Sequence, residues 1–150
     1  MIADFYMLLG FDNCNLFIPQ NEVQSVEIVA DIQPSQTGGV KVGQFVGHGL
    51  ESPVYCLASD LSLMTKIPNG REFFILLKTE DEKSPMGIVC DEVENVNLKQ
   101  EHLWPQDLPS VMQMEGSPIR QLLLYQENMS CICDGAALVK YINAQLKEPN

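Results

Sequence analysis

The stretch from Phe73 to Val96, FFILLKTEDEKSPMGIVCDEVENV, constrains this chain more than any other. Its first run, Phe73 to Leu77, is apolar at every position. A strand with one wet face would alternate, so an unbroken run of this length predicts a strand buried on both faces. Thr79 to Pro85 is charged and ends on Ser84-Pro85, a strong break signal. Met86 to Cys90 is apolar again and closes on Asp91-Glu92-Val93. The pieces predict a β-hairpin, and nothing in them is catalytic in type.

The rest of the chain reads the same way. Phe5 to Phe11 has the length of a strand, Asp12-Asn13 is a turn, and Leu16 to Pro19 resumes a strand that Pro19 ends. Asn21 to Ile32 fits either a helical turn leading into a strand or one bent strand. Gln33 to Gly39 is a loop by composition, and Val40 to Gly49 is a glycine-rich bent strand or loop. Val54 to Ala58 is a strand, followed by Ser59 to Met64, where Asp60 suggests a short helical turn. Asn69-Gly70 is a turn dipeptide. Val93 to Leu98 continues as a strand, and His102 to Pro109 is a loop carrying Trp104. Ile119 to Gln126 and Met129 to Cys133 flank a predicted two-residue turn at Glu127-Asn128. Asp134 caps a terminal helix whose Leu138, Tyr141, Ile142 and Leu146 recur at helical spacing. Eight to ten short strands with regular turns and one helix argue for small closed or partly closed β-barrels, not a parallel α/β sheet.

At 150 residues the chain suits a single domain over 1–150, or two small barrels sharing a core. A chain of this size buries roughly 70% of the surface its unfolded form exposes. No apolar run approaches the roughly 20 residues that span a bilayer, so membrane insertion is not expected. The opening residues hold Asp4 and neither lysine nor arginine, unlike a secretory signal, which predicts a cytoplasmic protein. Formal net charge is −11, from 20 acidic and 9 basic residues. That field repels a phosphate backbone and anionic lipid alike, so nucleic acid is not an expected partner. It serves solubility, or it serves a basic partner surface.

Catalysis would need a nucleophile with a base, a tuned acid–base pair, or a metal. The two histidines, His48 and His102, have no patterned partners. No nucleophile elbow, P-loop or dinucleotide fingerprint occurs. The five cysteines, Cys14, Cys56, Cys90, Cys131 and Cys133, are odd in number, and most sit in apolar runs, where a free thiol behaves as a small core residue. Cys131-x-Cys133 and the neighbours Asp91-Glu92 are the remaining chemical candidates. A small cysteine- or carboxylate-dependent enzyme built on them is the rival reading, and a self-associating structural β domain is another. The residues otherwise predict no enzyme, no catalytic residues, no cofactor and no metal.

In order and spacing, these segments resemble the CheW-like family, the adaptor domain of bacterial chemosensory signalling. Phe73 to Leu77, then Gly87-Ile88-Val89-Cys90-Asp91-Glu92-Val93, is similar to the family's strand, turn and G-L-x-V-D-x-V pattern. Leu16-Phe17-Ile18-Pro19 with Val23 and Val26 resembles its Y-A-I-P…V-x-E-V element. Trp104-Pro105 stands at its I-x-P segment, and Met129 to Asp134 with Ala137-Leu138-Val139 at its last strand and helix start. The resemblance spans nearly the whole chain. It implies a mainly all-β fold of two packed SH3-like five-stranded barrel lobes with a short C-terminal helix. It also implies a non-enzymatic adaptor that couples a CheA-like histidine kinase regulatory domain to a receptor cytoplasmic tip or another sensory partner.

One departure stands out. The family's N-L-R-G motif falls on Leu50-Glu51-Ser52-Pro53, so serine replaces the arginine, and Leu57 replaces the proline of the strand that follows. An arginine in that turn would offer a planar hydrogen-bonding fork that serine cannot supply. The resemblance marks Val23 and Val26, with Ser52 and Val54 opposite, as partner-binding groove residues, and Ile88 as a further one. Each of these could equally be core packing.

Overall fold

The computed structural model describes residues 5–34, 39–47, 49–79, 85–98, 117–126 and 128–147. Phe5–Phe11 (β1) and Cys14–Pro19 (β2) form the first hairpin, joined by Asp12 and Asn13. Both turn residues have positive φ, 48° and 62°. Aspartate and asparagine tolerate that backbone, and such a turn matches the twist of the strands it joins. A 3-10 turn at Gln20–Glu22 leads to Val23–Ile28 (β3), and a second follows at Val29–Asp31. The stretch with ambiguous periodicity is therefore a strand between two single turns.

Gln33–Pro34 (β4) pairs with Lys41–Gly47 (β5), a ladder step where composition predicts loop. The cause lies on either side of it. Ile32 is buried, and Gly43 lets the segment lie flat on β5: a Cβ there would meet Ile32 Cγ2 and stand 2.6 Å from the Gln33 carbonyl. Leu50–Cys56 (β6) begins four residues before the expected strand, so Leu50 to Pro53 are ladder rather than turn. Pro53 precedes the first pairing with the next strand at Val54, a one-sided setting that tolerates proline. Ser59 to Met64 forms a tight loop instead of a helical turn. Asp60 Oδ1 accepts hydrogen bonds from Ser62 N and Oγ, Leu61 takes φ 67°, and Leu57 bridges to Leu63. The aspartate thus closes on its own loop before a helix can start. Gly70 takes φ 96° in the turn closed by Arg71 N donating to Pro68 O.

Phe73–Leu77 (β7) and Met86–Cys90 (β8) form the expected antiparallel pair, from Phe73 opposite Cys90 to Leu77 opposite Met86. Glu92–Asn97 (β9), Ile119–Tyr125 (β10) and Asn128–Cys133 (β11) follow. Asn128 pairs with Tyr125, so it belongs to the strand and not to the predicted turn, whose Glu127 lies outside the described residues. The helix is Gly135–Lys147 (α1). Asp134 Oδ1 accepts from Ala136 N, as a cap does, and Leu138 and Ile142 are fully buried. Leu146, predicted on the same face, is exposed. His48, Trp104 and the predicted turn centre at 80–84 lie outside the described residues.

Among the described residues the strands form two sheets, ordered β10-β11-β2-β1-β9 and β3-β7-β8-β6-β5-β4. Each contains one parallel pair, β11 with β2 and β6 with β8. These are the two lobes, with five strands in the first and a short extra strand, β4, in the second. Three apolar layers hold them. Tyr6, Phe17, Val96, Leu98 and Ile132 fill the first lobe. Ile32, Val54, Cys56, Phe74, Leu76 and Val89 fill the second. The third layer lies between the lobes. It joins Met7, Leu9 and Phe11 of β1 to Ile75, Leu77, Met86, Ile88 and Cys90, with Leu138 and Ile142 of α1. β7 and β8 serve an intra-lobe layer with one face and the shared layer with the other, which is why their sequence does not alternate.

Candidate functional site

The shared layer does not end where the first lobe stops covering it. Among the described residues β3 is the terminal strand of the second sheet and pairs only with β7. Val23 lies opposite Leu77, but Ser25 lies opposite Leu76, so Gln24 is an extra residue and the strand carries a bulge. Beyond it Val26 faces Ile75 and Ile28 faces Phe73. Cross-strand partners share a face, and Ile75 belongs to the layer between the lobes. Val26 and Ile28 therefore extend that layer outward, and they are 41% and 49% exposed. Half-buried Phe73 completes the strip.

The bulge inverts ordinary polarity. Ser25 and Glu27 are half-buried while Val26 and Ile28 are exposed. Ser25 Oγ is buried with no hydrogen-bond partner among the described residues, a condition that costs about 1–3 kcal/mol. Stability alone favours the opposite register, and violations of local consistency collect at functional sites.

At its Ile28 end the strip approaches an ionic cluster across the lobe seam. Arg71 is 3% exposed. Its Nη1 donates to Leu57 O at 2.7 Å and Cys56 Sγ at 2.9 Å, and its Nη2 donates to Asp12 Oδ2 at 2.8 Å. Its Nε faces Asp91 Oδ1 at 3.5 Å, an ion pair without hydrogen-bond geometry. The guanidinium also lies 5.1 Å from the Phe11 ring centroid. Asp12 N and Asp91 N close the junction, donating to Asp91 Oδ2 and Gly10 O. Beside it Gly10, Phe11, Asn13, Cys14, Asn15, Asp91 and Glu92 line a cleft of ≈ 260 Å³.

At the Val23 end the strip is tied to the helix and to β9. Gly135 N donates to Glu22 Oε1 at 2.6 Å, and Gln20 Nε2 donates to Asn95 Oδ1 at 2.9 Å. Burial pushes the Glu22 carboxyl above the usual range; the Gly135 N–H opposes this and the neighbouring Asp134 carboxylate adds to it.

Of the five groove residues marked in the sequence, Val54 and Ile88 have no exposed surface and line the second lobe's interior and the shared layer. Ser52 is 2% exposed, in β6 opposite Phe45. A partner can reach Val26, with half-buried Val23 beside it. The reading that Leu50 to Pro53 form a turn missed that β6 carries the arginine position into the sheet. Ile28, Phe73 and Arg71 went unmarked. Ile28 was legible as the second apolar residue of V-x-I beside Val26. Nothing local in the sequence distinguishes Arg71 from a surface arginine.

The rival chemistry finds little support. All five cysteines are free. Burial pushes the thiols up: Cys14 to about 11, Cys90 to about 12, and Cys56, Cys131 and Cys133 in the same direction. A reactive cysteine needs the opposite shift. Among the described residues no three histidine, cysteine or acidic side chains group as metal ligands, and no helix is long and apolar enough to cross a membrane.

No family model matches the sequence, and no curated protein does. Among solved structures, the chain is similar to the crystal structure of the scaffolding protein TtCheW from Thermoanaerobacter tengcongensis. The TM-score is 0.67 at 14% identity, over 92% of this chain and 88% of that one. At that identity the likeness establishes a shared fold.

Proposed function

We propose that this chain is a non-enzymatic adaptor of a chemosensory-type pathway, working in the cytoplasm and docking its partner on the Val26–Ile28–Phe73 strip. The observation that carries this reading is the β3 register, which holds two aliphatic residues outward and a serine inward on a fold shared with a scaffolding protein. Covering the remaining exposed half of a valine and an isoleucine is worth about 1 kcal/mol each, enough to contribute to a transient interface. The partner by this reading is a CheA-like kinase regulatory domain, with a receptor cytoplasmic tip as the second. Ser52 offers no substitute for the arginine of the family motif, so docking falls on β3.

Titration calorimetry of the purified chain against the regulatory domain of a histidine kinase and a receptor-tip fragment from its own organism tests this. Binding that is lost in Val26→Ser and Ile28→Ser variants supports the reading. A folded chain that binds neither, or that binds equally well without the two aliphatics, removes it.

A further inference from the structure

This inference rests on the docking reading and names the form of the partner. Val29 N donates to Glu72 O at 2.9 Å and Lys78 N to Glu22 O at 3.1 Å, one bond at each end of the β3–β7 ladder. In an antiparallel pair, residues bonded to the neighbouring strand alternate with residues whose main-chain groups point the other way. Counting inward from both ends, Glu72, Phe74, Leu76 and Lys78 are the residues of β7 bonded to β3. Their partners include Glu27, opposite Phe74, and Ser25, opposite Leu76. Val26 and Ile28 therefore turn N–H and C=O away from β7, toward the outer edge of the sheet. No strand among the described residues pairs with that edge. The bulge at Gln24 lies before it, so Ser25 to Ile28 form a regular, open edge. Proteins blunt such edges with lysine, proline or a covering loop; this one carries two half-exposed aliphatic residues.

The same two residues thus offer both their side chains and their main-chain groups, and only an extended segment answers both. A helix has spent its own N–H and C=O groups on itself, so it covers the aliphatics and leaves the edge unpaired. We infer that a partner strand adds antiparallel to β3, exchanging main-chain hydrogen bonds with Val26 and Ile28. Such addition takes its affinity from the main chain and its specificity from alternate side chains. Cross-strand partners share a face, so the residues opposite Val26 and Ile28 are aliphatic and close the strip. The residue between them lies opposite Glu27, on the other face of the sheet. Glu27 is half-buried and has no ion pair among the described residues, so lysine or arginine fits there. The occupant is an extended segment reading aliphatic, basic, aliphatic.

The test uses the full isotope-labelled chain and short synthetic peptides with valine, lysine and valine at the centre, flanked by threonine. One is unmodified, one is N-methylated at both valines, and one is N-methylated at the lysine. In the antiparallel addition the valine N–H groups bond to β3 and the lysine N–H points away. The unmodified peptide is expected to shift the amides of Val26 and Ile28 and to slow their hydrogen exchange about tenfold when bound, sparing Glu27, whose N–H is already held by β7. The lysine-methylated peptide is expected to bind alike, and the valine-methylated one roughly thirtyfold more weakly, the worth of two main-chain hydrogen bonds. Glu27→Gln is expected to weaken the unmodified peptide about threefold; unchanged binding there overturns the basic position. Equal binding of the two methylated peptides, or the reverse order, overturns the antiparallel addition and leaves the docking strip standing. An unmodified peptide that moves neither Val26 nor Ile28 overturns the strand addition as well. The docking reading is then judged separately, by the serine variants in the calorimetry against the kinase domain.

Discussion

Arg71 Nη2 stands 2.8 Å from Asp12 Oδ2, tying the tip of the first lobe's hairpin to the loop between β6 and β7 of the second. The same guanidinium holds Leu57 O and faces Asp91, so one buried cation joins three segments that are distant in sequence. Asp12→Asn or Asp91→Asn alone leaves one carboxylate in place and is expected to cost about 1 kcal/mol. The double variant leaves an unpaired buried charge, which costs about 3–5 kcal/mol. Urea unfolding of the four species should show the double loss exceeding the sum of the singles. Simple additivity would mean that Arg71 does not couple them.

Substituting arginine for Ser52 supplies the arginine of the N-L-R-G motif that this position resembles, but should not create a docking fork. The position is buried in β6 opposite Phe45, and an unpaired charge there is expected to cost more than about 3 kcal/mol. Thermal unfolding measures it. A Ser52→Arg variant as stable as the parent would show that β6 releases this residue to solvent.

Val26→Ser and Ile28→Ser should each cost no more than about 1 kcal/mol of unfolding free energy, because about half of each residue is already exposed. Partner binding should fall in the same proteins. Equal losses in stability and binding would assign the two residues to packing instead.

Gly87 lies under Val54 and Phe74. A Cβ there would stand 2.9 Å from Val54 Cγ2 and 3.3 Å from Phe74 Cδ2. Both neighbours are fully buried, so Gly87→Ala is expected to cost about 1–3 kcal/mol in chemical denaturation.

The thiols give the chain an alkaline limit. Cys14 and Cys90 rise from an ordinary 9.0 to about 11 and about 12 because burial disfavours the thiolate. The folded state holds these protons more tightly than the unfolded state. Their contribution is therefore complete below pH 9 and is lost as pH rises through 11 and 12, with a slope of about 1.4 kcal/mol per pH unit for each thiol still protonated only in the fold. Unfolding free energy against pH should bend downward near 9. At neutral pH a thiol reagent should label the native chain slowly and the unfolded chain at once; one fast native thiol would revive the enzymatic alternative.

The chain's own order of residues determined most of the strands and the helix, because those signals are local. The unbroken run Phe73 to Leu77 announced two buried faces, Asp12-Asn13 announced a turn, and Asp134 announced a helix start. Tertiary structure decided which residues a partner can reach. Val54 and Val26 are the same kind of side chain in the same kind of strand, yet one lies between β5 and β8 and the other on a terminal strand past a bulge. Exposure depends on what the other lobe covers, and a one-residue shift in pairing turns every later side chain to the opposite face. The same holds for Arg71, whose partners lie 59 and 14 residues away and meet only when both lobes have closed.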